Sequence, residues 1–350
     1  MPGGPWTRLG LAALLGGRLE GPDGPAVRLR DPGEANGEDV VLARDGRFLD
    51  LCLASPAGLI VLGELTAAVT PPRALLRVPD PEAAWVALLE AFAPDPGQPG
   101  GVDESARVHP EAVLEPGVSV GPLAVVGRGA RIGMGSRVMA GAFVGEGTTL
   151  GANCTIHPNA SVLERVTLGD RVIIQAGAVI GNEGFGYRRL PGGGYARLRH
   201  IGTVVLEDDV QIGANSVVAR GTVGETRIGA GTKIDHGCLV AHNCRVGARV
   251  IMAGGSHLAG SSVVEDDVIM LGQVGVADHV RIGARAVLVA RAGVSKDLEA
   301  DGTYRGSPAR PIREALRTEA HVRNLERTVA RLGELEAEVR RLQTMLEPSP

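Results

Sequence analysis

Residues 228–252 read IGAGTKIDHGCLVAHNCRVGARVIM. An apolar residue returns every six positions, at Ile228, Ile234, Val240, Val246 and Met252, and a small or β-branched residue follows each by four, as Cys238 and Cys244 do. The same spacing runs from Val102 through Val108, Leu114, Val120 and Val126 to Ile180, resumes at Leu206, and continues to Val294. It breaks near Gly186 and slips by four residues around Gly224 to Arg227. A period of six fits neither a 3.6-residue helix nor plain strand alternation. It fits a short strand plus a turn, with the apolar residue and the small one both pointing inward. Glycine often follows the apolar residue, as in Ile132-Gly133 and Leu150-Gly151, where it is expected to let the chain turn tightly. Three hexads close one triangular coil, so the central chain is expected to be mainly β, a parallel β-helix of about ten coils and ~45 Å.

The flanks lack the period. Before it, short apolar strands are expected at 26–29, 59–62 and 74–78. A helix is expected over Pro81 to Phe92, with Asp80 as N-cap, Pro81 at its first position, and Trp85, Leu88, Leu89 and Phe92 on one face. Pro94, Pro96 and Pro99 with neighbouring glycines read as a linker. After the repeats, Pro308 and Pro311 break the chain and a helix follows. Its Val322, Leu325, Val329, Leu332, Val339 and Leu346 form a stripe, interrupted by Glu336, that one helix cannot bury alone. The expected organisation is a small α/β domain at 1–100, the β-helix at 101–307 and a C-terminal α-helical extension at 308–350.

Charge narrows the function. The 350 residues carry 36 basic and 40 acidic side chains, a formal net charge of -4, which excludes nucleic-acid binding by overall charge. No apolar run approaches the ~20 residues of a membrane span, and the short stretch Leu9 to Leu15 does not read as a secretory signal. The four cysteines form no C-x-x-C pair and read as small buried fillers in a reducing, cytoplasmic setting.

Chemistry is expected where the hexads carry polar residues or are interrupted. Three places stand out: Lys233 to Asn243, the interruption from Asn182 to Gly202, and His279. His242 lies two positions after inward Val240 and so faces outward, with His279 two coils plus one position further on. His236, His242 and His279 raise the question of a zinc site, but their spacing is not that of known three-histidine ligand sets and no supporting carboxylate is evident, so no metal is expected.

The run Ile173-Ile174-Gln175-Ala176-Gly177-Ala178-Val179-Ile180-Gly181 into Gly184-Phe185-Gly186-Tyr187, then Lys233-Ile234-Asp235, Ala241-His242-Asn243 and Gly306-Ser307-Pro308-Ala309-Arg310-Pro311, resembles the UDP-3-O-acylglucosamine N-acyltransferases of lipid A biosynthesis. The resemblance covers nearly the whole chain. It implies a left-handed β-helix, a homotrimer with sites in grooves between subunits, and an N-terminal domain that binds uridine. The implied reaction moves a (3R)-3-hydroxyacyl chain from acyl carrier protein to the 2-amine of a UDP-3-O-acylglucosamine. The donor is an acyl-phosphopantetheine and no other cofactor is implied.

Residue by residue, His242 matches the family's general base, Asp235 its supporting carboxylate, His279 a second active-site histidine and Gly260 the glycine whose N–H faces the developing oxyanion. Phe48, Phe185, Tyr187 and Asn243 are expected to contact the UDP-sugar substrate. Arg310, Arg313 and Arg317 are expected to dock the acidic acyl carrier protein. Some positions depart from the family pattern: Ala219 stands where an acidic residue usually precedes Arg220-Gly221, and His236 follows Lys233-Ile234-Asp235 where asparagine is common. Only Phe48 in the stretch Val40 to Phe48 is aromatic and able to stack on uracil. These departures leave open a different nucleotide-linked amino sugar or an acyl-CoA donor. A non-catalytic scaffold prism is the reading from another class, opposed by the pair His242 and Asp235.

Overall fold

A computed structural model describes residues 6–64, 74–94 and 100–346 of the chain, with side chains to residue 343. Pro96 and Pro99 of the expected linker, and the side chain of Leu346, lie outside the described residues. The chain divides into two compact units, Met1–Gln98 and Pro99–Pro350.

The second unit is a left-handed parallel β-helix with three sheets as its faces. The first face runs from Gly101–Val102 to Thr303–Arg305 and ends on the antiparallel strand Arg310–Pro311, the second from Arg107–Val108 to Gly293–Val294, and the third from Val113–Leu114 to Arg281–Ile282. A regular coil takes 18 residues, as in the pairing of Leu114 with Ile132, and the last takes 16, with Leu288 against Tyr304. Two coils are longer. Leu168 pairs with Leu206, 38 residues on, because the insertion over residues 182–202 leaves the frame. Leu206 then pairs with Ile228, 22 residues on, which is the slip of four seen in the sequence. Ile132, Val144, Leu150, Ile174, Val240 and Leu258 all point into one buried core.

Glycine does a different job from the one expected. Gly181 at φ +91° apart, the residue after the inward aliphatic is outside the left-handed region, and the turn is made three positions after the aliphatic. There Asn153, Arg171, Asn243, Ser261 and His279 all sit near φ +60°. Gly133 is needed for clearance instead: a Cβ there would lie 2.5 Å from the carbonyl of Gly151 on the next coil. The corner cysteines behave as fillers. Cys154 is buried, its thiol donates to Gly169 O, and burial pushes its pKa up to about 11.

The first unit is a five-stranded sheet in the order Arg18–Glu20, Ala74–Val78, Leu59–Gly63, Asp39–Leu42, Arg28–Leu29, parallel except for the first pair. Val40 and Leu42 point to one core and Val41 to another, on opposite faces of the sheet. Helices α1 (Arg8–Leu14), α2 (Gly46–Ala54) and α3 (Pro81–Phe92) accompany it. Asp45 caps α2 by accepting from Arg47 N and Phe48 N, and Asp80 caps α3 by accepting from Glu82 N and Ala83 N. Leu88 of α3 is buried as expected, but Leu89 is 48% exposed and stands outside the core.

The C-terminal extension is two helices, α4 (Ile312–Arg323) and α5 (Leu325–Leu346), separated at Asn324. Its stripe of Leu325, Val329, Leu332, Leu335, Val339 and Leu342 is exposed on the single chain. Among the described residues no helix is long and apolar enough to cross a membrane.

Candidate active site

His242 stands at the corner that follows strand Leu239–Val240 of the second face, half-buried. The next residue, Asn243, takes the left-handed turn position at φ +60°, which asparagine adopts more easily than most residues. Its N–H donates to the buried hydroxyl of Thr226 at 2.8 Å, fixing the corner. Its side-chain amide is oriented from both ends: Nδ2 donates to Val223 O at 2.8 Å, and Oδ1 accepts from Thr222 N at 2.9 Å.

That orientation decides the state of His242. The ring Nδ1 lies 3.2 Å from Asn243 Oδ1. An amide oxygen only accepts, so Nδ1 carries a proton, and in the neutral ring it is Nε2 that holds the lone pair. A neutral histidine with a free Nε2 is what proton abstraction needs. Asn243, expected as a substrate contact, thus spends its amide inside the chain, on the histidine and on the slip loop.

One coil on, Gly260 passes under the imidazole. A Cβ at Gly260 would lie 2.6 Å from Cε1 and 2.7 Å from Nε2 of His242. At the matching corner positions of the first and third faces, backbone N–H groups are spent on carboxylates: Gly254 N donates to Asp235 at 2.9 Å and Ala248 N to Asp266 at 2.9 Å. Among the described residues the Gly260 N–H has no such acceptor. A residue with an unspent backbone donor therefore packs against the imidazole of His242, and these are the two groups that acyl transfer uses.

The other expected residues fall as follows. Asp235 lies on the first face, and its carboxylate accepts from His236 N at 2.7 Å and Gly254 N at 2.9 Å; its hydrogen bonds do not involve His242 of the same chain. His236 is also on that face, accepting at Nδ1 from Ala214 N. His279 is exposed on the same corner line as Asn243 and Ser261, two coils along and about 10 Å away at ~4.8 Å per coil, with its N–H on Gly260 O. Among the described residues no three His, Cys, Asp or Glu side chains are arranged to hold a metal ion.

Phe185 and Tyr187 belong to the insertion, whose strands Tyr187–Arg189 and Tyr195–Arg197 form a hairpin. Their rings meet edge to face at 5.0 Å, and Phe185 is 88% exposed. An apolar groove of ≈ 640 Å³ follows the second face, lined by Leu239, His257, Ala259, Gly275, Gly293 and Pro308 among others. Gly275 and Gly293 occupy the outward positions of their strands, so the groove floor there carries no side chains. Arg310, Arg313 and Arg317 are exposed beyond the end of the prism, and none forms an ion pair among the described residues.

In the first unit Phe48 is 42% exposed on the first turn of α2 and lines a cavity of ≈ 430 Å³ with Arg30, Asp31, Arg44, Trp85 and Leu89. The Arg44 guanidinium lies 5.8 Å from the Trp85 ring and pairs with Glu82 at 3.1 Å. Trp85 and Arg44 were not singled out from the sequence, where Trp85 reads as a core residue of α3.

A family model described as bacterial transferase hexapeptide (six repeats) matches residues 147–182. Over 321 residues the chain is 47% identical to the UDP-3-O-acylglucosamine N-acyltransferase of Caulobacter sp. (strain K31), covering 91% of this chain and 93% of that one. A protein of the same name from Methylobacterium sp. (strain 4-46) is 41% identical over 345 residues, covering 94% and 95%. The match to the enzyme so named in Wolinella succinogenes, 43% over 157 residues, spans 45% of this chain and 49% of that one. Among solved structures, the Arabidopsis UDP-N-acetylglucosamine acyltransferase superposes with a TM-score of 0.52 at 26% identity, over 71% of this chain and 85% of that one.

Proposed function

The chain belongs to the UDP-3-O-acylglucosamine N-acyltransferase family, and we propose from this and from the corner at His242 that it transfers a (3R)-3-hydroxyacyl chain from acyl carrier protein to the 2-amine of UDP-3-O-acylglucosamine. The observation that carries the reading is a histidine held with Nε2 free and packed against Gly260, a residue whose backbone N–H is unspent.

The amine nitrogen attacks the thioester carbonyl carbon while His242 Nε2 takes its proton. The carbonyl oxygen becomes an oxyanion that the Gly260 N–H is free to bind. Collapse breaks the carbon–sulfur bond. The proton on His242 then goes to the departing phosphopantetheine sulfur, which restores the neutral imidazole. On one chain the orienting task falls to Asn243, so any support Asp235 gives His242 comes across the boundary between copies. His279, exposed two coils on, faces the substrate on the same corner line.

The groove on the second face takes an acyl chain, its glycine floor leaving room for methylenes. Phe48 and its cavity are the uracil contact proposed for the first unit, and Phe185 and Tyr187 of the hairpin are the substrate contacts proposed for the second. A homotrimer is the assembly that the family implies, and the exposed apolar stripe of α5, which one chain cannot bury, fits association between copies. Acyl carrier protein docks on Arg310, Arg313 and Arg317, and the cytoplasm, where that donor resides, is the compartment.

The test is a transfer assay on purified protein, with acyl carrier protein thioesters of several lengths offered to UDP-3-O-acylglucosamine and to other UDP-amino sugars. Preferential N-acylation of the 3-O-acylated sugar supports the proposal. Preference for another amino sugar, or equal use of acyl-CoA, would overturn the substrate assignment.

A further inference from the structure

His200 ends the insertion, outside the hexad frame, and no periodic signal marks it. It is 3% exposed. Its Nδ1 lies 3.1 Å from Leu198 O. A carbonyl only accepts, so Nδ1 carries the proton and Nε2 the lone pair. That Nε2 is sealed from solvent with no hydrogen-bond partner. The ring stands edge to face against His242, centroids 4.9 Å apart and planes at 61°. Two glycines make room for it: a Cβ at Gly184 would lie 2.9 Å from Nε2, and one at Gly186 would lie 2.7 Å from Cε1.

We propose that His200 is a positioning residue for His242, a neutral imidazole of fixed tautomer that braces the ring in the orientation Asn243 sets. The proposal rests on His242 being the base. The charged and titratable groups that bear on His200 are His242, from the corner of the second face, and Glu183 and Arg197 of the insertion. Glu183 is itself paired with Arg197 at 2.8 Å and Arg199 at 2.9 Å. Burial first, and His242 second, hold the His200 pKa below the usual imidazole value, so the brace is neutral at neutral pH. Protonating it sets a cation against the base and adds a second proton to the acid inactivation.

The experiment compares the full-length parent enzyme with His200→Leu, His200→Gln and His242→Ala. His200→Leu is expected to lower kcat by about tenfold with KM little changed, since small displacements of a catalytic group cost rate without costing binding. His200→Gln, which can donate to Leu198 O and accept at the other end, is expected to restore kcat. Its acid limb of log kcat against pH is expected to be one proton shallower than the parent's. A parental kcat in His200→Leu, or an acid limb in His200→Gln as steep as the parent's, would overturn the proposal. Should His200→Leu not fold, the slope in His200→Gln decides alone. The control separates the two readings: an active His242→Ala sinks the base itself, whereas an inactive one beside a parental His200→Leu sinks only the brace.

Discussion

Replacing Gly260 with alanine puts a methyl group where the imidazole of His242 now lies. The added carbon would sit 2.6 Å from Cε1 and 2.7 Å from Nε2, and its three nearest atoms are all in that ring. Ordinary contact between such atoms begins near 3.5 Å, so the ring must retreat by roughly 1 Å. The backbone does not resist the change, because Gly260 lies outside the left-handed region. The backbone N–H also remains. What gives is the half-buried histidine. A misplacement of about 1 Å in a reacting group costs on the order of 10²-fold in rate. Initial rates at saturating acyl carrier protein thioester should therefore show kcat down by about that factor, with thermal melting little changed. A kcat within about threefold of the parent, in a folded protein, would refute the claim that the His242 ring works from its present place.

Asn243→Leu frees the tautomer of His242 and should lower kcat by more than about tenfold at near-constant KM; an unchanged kcat would show that Asn243 does not set the protonation of the ring. If Phe48 stacks on uracil, Phe48→Ala raises the KM for the UDP sugar, and an unchanged KM leaves the first unit without an assigned nucleotide contact. Reversing Arg313 and Arg317 to glutamate should impair use of acyl carrier protein thioesters more than use of a short acyl-pantetheine, and the difference should shrink with salt as the Debye length falls from ~10 Å at 0.1 M to ~3 Å at 1 M. Equal loss with both donors would point to damage of the assembly instead.

Much of this molecule is legible in its residues because the prism repeats one packing problem. The period of six runs from Val102 to Val294, and its two irregularities there coincide with the two long coils. The glycine after the aliphatic misleads because turning and clearance leave the same mark in a sequence. Only the distance from Gly133 to the next coil separates them. The strand Asp39–Leu42 is buried on both faces and shows no alternation, so it passes unread in a run of apolar residues. The break at Asn324 interrupts a stripe whose spacing barely changes. At the site, His242 and Gly260 fall on hexad positions and can be placed by counting. Asn243 reads as a substrate contact until the slip loop brings Thr222 and Val223 to its amide. His200 has no frame at all, and only the fold brings it to His242.

The most direct test of the account is the turnover of His242→Ala, measured with acyl carrier protein thioester and UDP-3-O-acylglucosamine alongside the oligomeric state of the variant. Loss of a general base predicts a fall of at least ~10²-fold with the assembly intact. A near-parental rate would contradict the account and remove His242 from the chemistry.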